Sequence, residues 1–110
     1  VLVDGERSYA CTREVGTVAG RSVTTIEGLG SATDMHPLQQ AFVDEQAGQC
    51  GYCLSGIIVS AKALLDRNPQ PSRADIVTAL DRHLCRCGSH QRIIRAVQRA
   101  AETLRNGRPA

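Results

Sequence analysis

At 110 residues the chain can form one packed domain and part of a second, and its 42% hydrophobic content with only 3% aromatics points to an aliphatic core of the kind that close-packed helices build. Its 13 basic and 11 acidic residues leave a net charge of +2, too balanced to imply nucleic acid or an anionic membrane surface as a partner. No apolar run reaches the roughly 18 residues a membrane-spanning helix needs, and the five cysteines, an odd number, disfavour a disulfide framework.

The first stretch is β-type. Val1-Leu2-Val3 runs into Asp4-Gly5, a hairpin turn signal, and Arg7 to Cys11 reads as the return strand. A second β-type run follows at Ser22 to Ile26. So few strands do not make a self-sufficient sheet, so residues 1–27 are expected to be loosely held, as the tail end of a small β-domain. No signal peptide is visible, and the opening reads like the middle of a domain, so the true N-terminus is expected to be missing and the location to be cytoplasmic. Gly28 to Asp34 is small and polar: a linker between domains or an ordinary surface loop.

Beyond this stretch the periodicity turns helical. Pro37 suits a first turn, Leu38, Ala41 and Phe42 supply an apolar face, and this first helix is expected to end near Gly48. The second is the clearest: Leu54, Ile57, Ile58, Ala61, Leu64 and Leu65 recur at helical spacing until Asn68-Pro69 stops them. Ser72 with Asp75 three residues on resembles a capping box, opening a third helix whose stripe of Ile76, Leu80 and Leu84 runs into Cys85. Gly88-Ser89 breaks the chain, and Ser89 can cap a fourth helix with Ile93, Val97, Ala101 and Leu104 on its inner face. Arg92, Arg95 and Arg99 form a stripe on that helix, either a solvated face or a docking surface for an acidic partner. Gly107 is expected to end the helix and the tail to fray.

The cysteines sit where the helices meet. Cys50 and Cys53 form a C-x-x-C between the first and second helices; Cys85 and Cys87 form a C-x-C between the third and fourth. If the two helical hairpins pack side by side, both junctions fall at one end of a four-helix bundle and bring four thiols together. Such a set can hold structural zinc or a [2Fe–2S] cluster. Gly51 and Gly88 let backbone N–H groups approach the sulfurs, which favours the cluster modestly, since zinc knuckles use the same bonds. A thioredoxin-like redox pair would need a βαβ pattern that is not here. His36, His83 and His90 read as surface or capping residues, with His83 close enough to the C-x-C to act behind a ligand.

His36 to Phe42, Gln49-Cys50-Gly51-Tyr52-Cys53 and Leu84-Cys85-Arg86-Cys87-Gly88, with the connector-like run Ala19 to Leu29, together resemble the small iron–sulfur subunit of the molybdenum hydroxylases. This is the superfamily of xanthine oxidase, aldehyde oxidase and the bacterial carbon monoxide, isoquinoline and nicotinate dehydrogenases. The resemblance covers essentially the whole chain. It implies a mainly α fold: a four-helix bundle of two helical hairpins over residues 31–110, preceded over residues 1–30 by the remnant of a β-grasp, plant-type ferredoxin domain and its connector. It implies one [2Fe–2S] cluster on Cys50, Cys53, Cys85 and Cys87, with Gln49 and Cys87 touching the molybdopterin cofactor of a large partner subunit. No residue of this chain is then catalytic. Electrons pass from the molybdopterin through this cluster towards a second cluster and a flavin subunit or cytochrome. Three ligands of the second cluster have no counterpart here, so Cys11, which matches the fourth, is expected to be a free thiol. The other function class left open is a zinc-stabilised helical module that binds a partner protein.

Overall fold

The computed structural model describes residues 1–107. The chain opens with three two-residue strands, β1 (Leu2–Val3), β2 (Glu6–Arg7) and β3 (Val23–Thr24), in an antiparallel sheet ordered β2-β1-β3. Asp4 and Gly5 take φ of 51° and 85°, the left-handed pair that a two-residue hairpin requires, and set the register Leu2 to Arg7 and Val3 to Glu6. Asp4 then ties down the other edge: its N–H donates to the Ser22 carbonyl at 2.8 Å and its carboxylate accepts from the Ser22 N–H at 2.9 Å. The strands are shorter than the expected runs, but each has a partner. Leu2 and Val3, on the central strand, are buried, and Leu2 packs with Val59 and Ala63 of the helical part. Arg7 donates from its guanidinium to the carbonyl of Ala79. The expectation of a loosely held segment rested on strands without partners, and that premise fails.

Four helices follow: α1 (Pro37–Asp44), α2 (Leu54–Arg67), α3 (Arg73–Leu80) and α4 (His90–Arg105). The start of α1 is doubly capped. His36 Nδ1 accepts from the Leu38 N–H at 3.1 Å, and Gln39 Oε1 accepts from the His36 N–H at 2.9 Å. Its end comes earlier than Gly48. Gln46 takes φ 52°, the Gln46 N–H donates to Val43 and the Ala47 N–H to Phe42, the bonding of a Schellman stop built without glycine. α2 runs as its periodicity predicts and buries Ile57, Ile58, Ala61, Leu64 and Leu65. α3 stops at Leu80, so Leu84 does not continue its stripe; it is 88% exposed, and Ile76 and Ala79 do the burying instead. α4 ends where Gly107, at φ 83°, turns the chain; the fraying expected of the tail falls outside the described residues.

α1 packs mainly on α4 and α2 mainly on α3, so helices joined by a cysteine loop are fastened chiefly to members of the other pair. Between them lies one aliphatic core, with Leu38, Ile57, Ile76, Ile93 and Val97 nearly inaccessible to water. Two of the three arginines of the basic stripe find acids within the chain. Arg99 reaches Glu45 at 2.9 Å and Asp44 at 3.4 Å, and Arg95 reaches Glu45 at 3.8 Å, joining α4 to the C-terminal end of α1.

The capping box of α3 supports a first prediction. Ser72 Oγ accepts from the Asp75 N–H at 3.1 Å and Asp75 accepts from the Ser72 N–H at 2.9 Å. Ser72→Ala is expected to cost about 1 kcal/mol, read as a lower urea midpoint. The Ser72 N–H, then its hydroxyl, holds the Asp75 carboxyl below its ordinary value. A depressed folded pKa gives stability that is present above the unfolded value and is lost as pH falls through the folded one. Asp75→Asn is therefore expected to weaken the acid-side dependence of the midpoint; an unaltered dependence would contradict the cap.

Candidate metal centre

The two cysteine loops meet at one end of the helices. A cavity of about 450 Å³ is lined by Gln49 to Cys53 from the first loop and by Leu84 to Cys87 from the second. Each loop leaves the C-terminal end of one helix and enters the N-terminal end of the next. Cys53 is the residue that opens α2, and its carbonyl accepts from the Ile57 N–H at 3.2 Å. Cys85 and Cys87 lie just before α4. The positive ends of two helices, 14 and 16 residues long, are thus turned to the thiols, which favours thiolate over thiol.

The loops turn on glycine. Gly51 has φ 83° and Gly88 φ 72°, a conformation that a side chain strains, and both sit beside cysteines. The Gly51 turn closes with the Leu54 N–H donating to its carbonyl at 3.2 Å, and the Gly88 turn with its own N–H donating to the Cys85 carbonyl at 3.0 Å. These turns present backbone donors to sulfur. The Ser89 N–H donates to Cys85 Sγ at 3.4 Å, and the Tyr52 N–H lies close enough to Cys50 to favour its thiolate.

The four thiols line the cavity from both loops, and across it Cys87 favours the Cys50 thiolate while Cys85 disfavours that of Cys53. Among the described residues, no three Cys, His, Asp or Glu side chains gather about a single point as one ion would need. Thiol character differs along the set. Cys50 is exposed, and the Tyr52 N–H and then the Cys87 thiol pull its pKa below the ordinary value. Cys85 is lowered too, chiefly by the Ser89 N–H. Burial, with Cys85 beside it, pushes Cys53 up to about 11. Cys50 and Cys85 are thus biased towards thiolate and Cys53 towards thiol, a bias that a bound cation would reverse.

Every site residue named from the sequence lies at this cavity. Gln49 is exposed on its margin, and Cys11 is exposed outside it. His83 turns the other way, with Nε2 at 2.6 Å from the Ser60 hydroxyl of α2. Two features escaped the sequence reading. Tyr52 and Leu84 stand on either side of the cavity, 94% and 88% exposed, an apolar pair open to water. Leu84 could be recognised only by noticing that its stripe points into the cysteine motif. Ser89 stands at the cap position, yet its side chain makes no capping bond to α4.

The [2Fe-2S] binding domain family matches residues 25–98 of the chain. One of the nicotinate dehydrogenase subunits of Pseudomonas putida is 56% identical over 105 residues, covering 96% of this chain and 67% of that relative. The alpha chain of the isoquinoline 1-oxidoreductase of Brevundimonas diminuta is 52% identical over 102 residues, covering 93% and 66%. The chain thus spans about two thirds of the length of these relatives. Among solved structures, the aldehyde oxidoreductase of Desulfovibrio desulfuricans superposes with a TM-score of 0.90 at 44% identity, over 96% of this chain and 12% of that one.

Proposed function

The chain belongs to the family of [2Fe–2S]-binding domains carried by the iron–sulfur subunits of the molybdenum hydroxylases, and from that premise we infer that it is the electron-transfer component of such an enzyme. Cys50, Cys53, Cys85 and Cys87 hold the cluster. The observation that carries this reading is that all four line one cavity where the two loops meet, within the stretch that the [2Fe-2S] binding domain family matches. Four thiolates suit a [2Fe–2S] cluster, two on each iron, and also a structural zinc, so the family match decides between them and lends the zinc module no support. When bound, the cluster exchanges one electron at a time.

The residues around it do the rest. The helix ends and backbone donors stabilise negative charge on the sulfurs, and the apolar margin of Tyr52 and Leu84 offers a surface from which a docking partner expels water. That partner is a large molybdopterin-binding subunit, approached by Gln49 and Cys87 on the open side of the cavity, with a flavin subunit or cytochrome as the onward acceptor. Residues 31–110 form the cluster domain, built as two helical hairpins, and residues 1–30 are the end of a β-grasp ferredoxin-like domain with its connector.

Elemental analysis tests the core of this reading: about two iron and two acid-labile sulfide are expected per chain. Stoichiometric zinc without sulfide would overturn it. Gln49→Ala separates holding from docking. It is expected to leave iron and sulfide unchanged while slowing reduction by the large subunit; loss of iron would show that Gln49 serves the cluster itself.

A further inference from the structure

Ser89 is one of two buried polar side chains among the described residues, 3% exposed, and it stands where the second cysteine loop becomes α4. Its three polar groups are all engaged. The carbonyl accepts from the Ile93 N–H at 3.0 Å, in the first turn of α4. The hydroxyl accepts from Arg92 Nη2 at 3.3 Å. The amide N–H, aimed back out of the helix, donates to Cys85 Sγ at 3.4 Å. The helix and the arginine therefore fix the direction of that donor, which acts on Cys85 more strongly than the Ser89 hydroxyl does. A neutral donor held against a ligand sulfur favours the more electron-rich state of an iron–sulfur centre and raises its potential.

Resting on the reading of Cys85 as a cluster ligand, we propose that Ser89 is a positioning residue whose backbone N–H, aimed by α4 and Arg92, raises the reduction potential of the cluster. Two variants of the full chain, loaded with iron and sulfide, separate the parts of Ser89. Ser89→Pro removes the N–H at a φ of −82°, close to the range that proline accepts. Ser89→Ala removes the hydroxyl and keeps the N–H. At a fixed poise near the midpoint, Ser89→Pro is expected to show a reduced-to-oxidised ratio about tenfold below wild type, equivalent to about 59 mV for one electron. Ser89→Ala is expected to move it much less.

A second measurement does not depend on the proline variant folding. With 15N-serine in an otherwise unlabelled chain, the reduced cluster is expected to show a 15N hyperfine coupling. That coupling should vanish in Ser89→Ala while the cluster persists, because the alanine amide carries no label. An intact Ser89→Pro cluster with wild-type potential, or a wild-type cluster without serine 15N coupling, overturns the proposal and leaves the cluster assignment standing. A wild-type chain that takes up no iron and sulfide overturns both. Should Ser89→Pro lose its cluster, the 15N coupling decides.

Discussion

Replacing Cys85 with serine is expected to take iron and sulfide from about two each per chain to near zero and to abolish the [2Fe–2S] EPR signal of the reduced protein. Cys85 shares its place with Cys53, and burial holds the Cys53 thiol up at about 11. Left alone, Cys53 has neither an exposed position nor a ligand partner to keep an iron on its side of the cavity. The change also removes the sulfur that accepts the Ser89 N–H, so the second loop loses its link to the start of α4. Cys11→Ser is the control: that thiol is exposed and outside the cavity, and metal content is expected not to change. An undiminished EPR signal in Cys85→Ser would remove Cys85 from the ligand set.

Ile57→Ala is expected to destabilise the chain by about 2–5 kcal/mol, the usual range for emptying a fully buried aliphatic site. Against the roughly 5–15 kcal/mol that hold a domain of this kind together, this is a large fraction. Ile57 is 1% exposed and sits one turn into α2, bonded through its N–H to the carbonyl of Cys53. It therefore packs the same helical turn that presents a cysteine to the cavity. Urea unfolding of the metal-free chain reads the loss directly. Binding of iron and sulfide to the folded state is expected to recover part of it by mass action. A loss under about 1 kcal/mol would mean that this turn collapses readily onto the vacated volume.

Much of the fold could be read from residue spacing, and the exceptions have physical causes. α2 is legible because its apolar positions keep helical spacing from Leu54 to Leu65 and because Asn68-Pro69 cannot continue it. The box at Ser72 and Asp75 is legible because both halves are side chains. The end of α1 is hidden because Gln46 takes the left-handed position that sequence patterns assign to glycine. The end of α3 is hidden because Leu84 has the right spacing for a buried stripe and lies instead in open solvent beside the cysteines. There local pattern and fold disagree, and the disagreement falls at the site, where an exposed leucine suits a docking face better than a core. Ser89 is a subtler case: composition marks a cap, and the cap position is correct, but its N–H is turned to sulfur. The four cysteines were legible as a group; the different pull on each thiol was not, because it depends on how the two loops face each other.

The burial of β1 against α2 bears on any attempt to excise the helical part. Leu2 closes over Val59 and Ala63, and Arg7 bonds a carbonyl at the far end of α3. A fragment beginning after the connector would lay that side of α2 bare and leave the Ala79 carbonyl to water. Such a fragment would be adhesive, tending to pair with copies of itself through the strip that β1 had covered. A fragment that retains Val1-Leu2-Val3 keeps the lid on that strip.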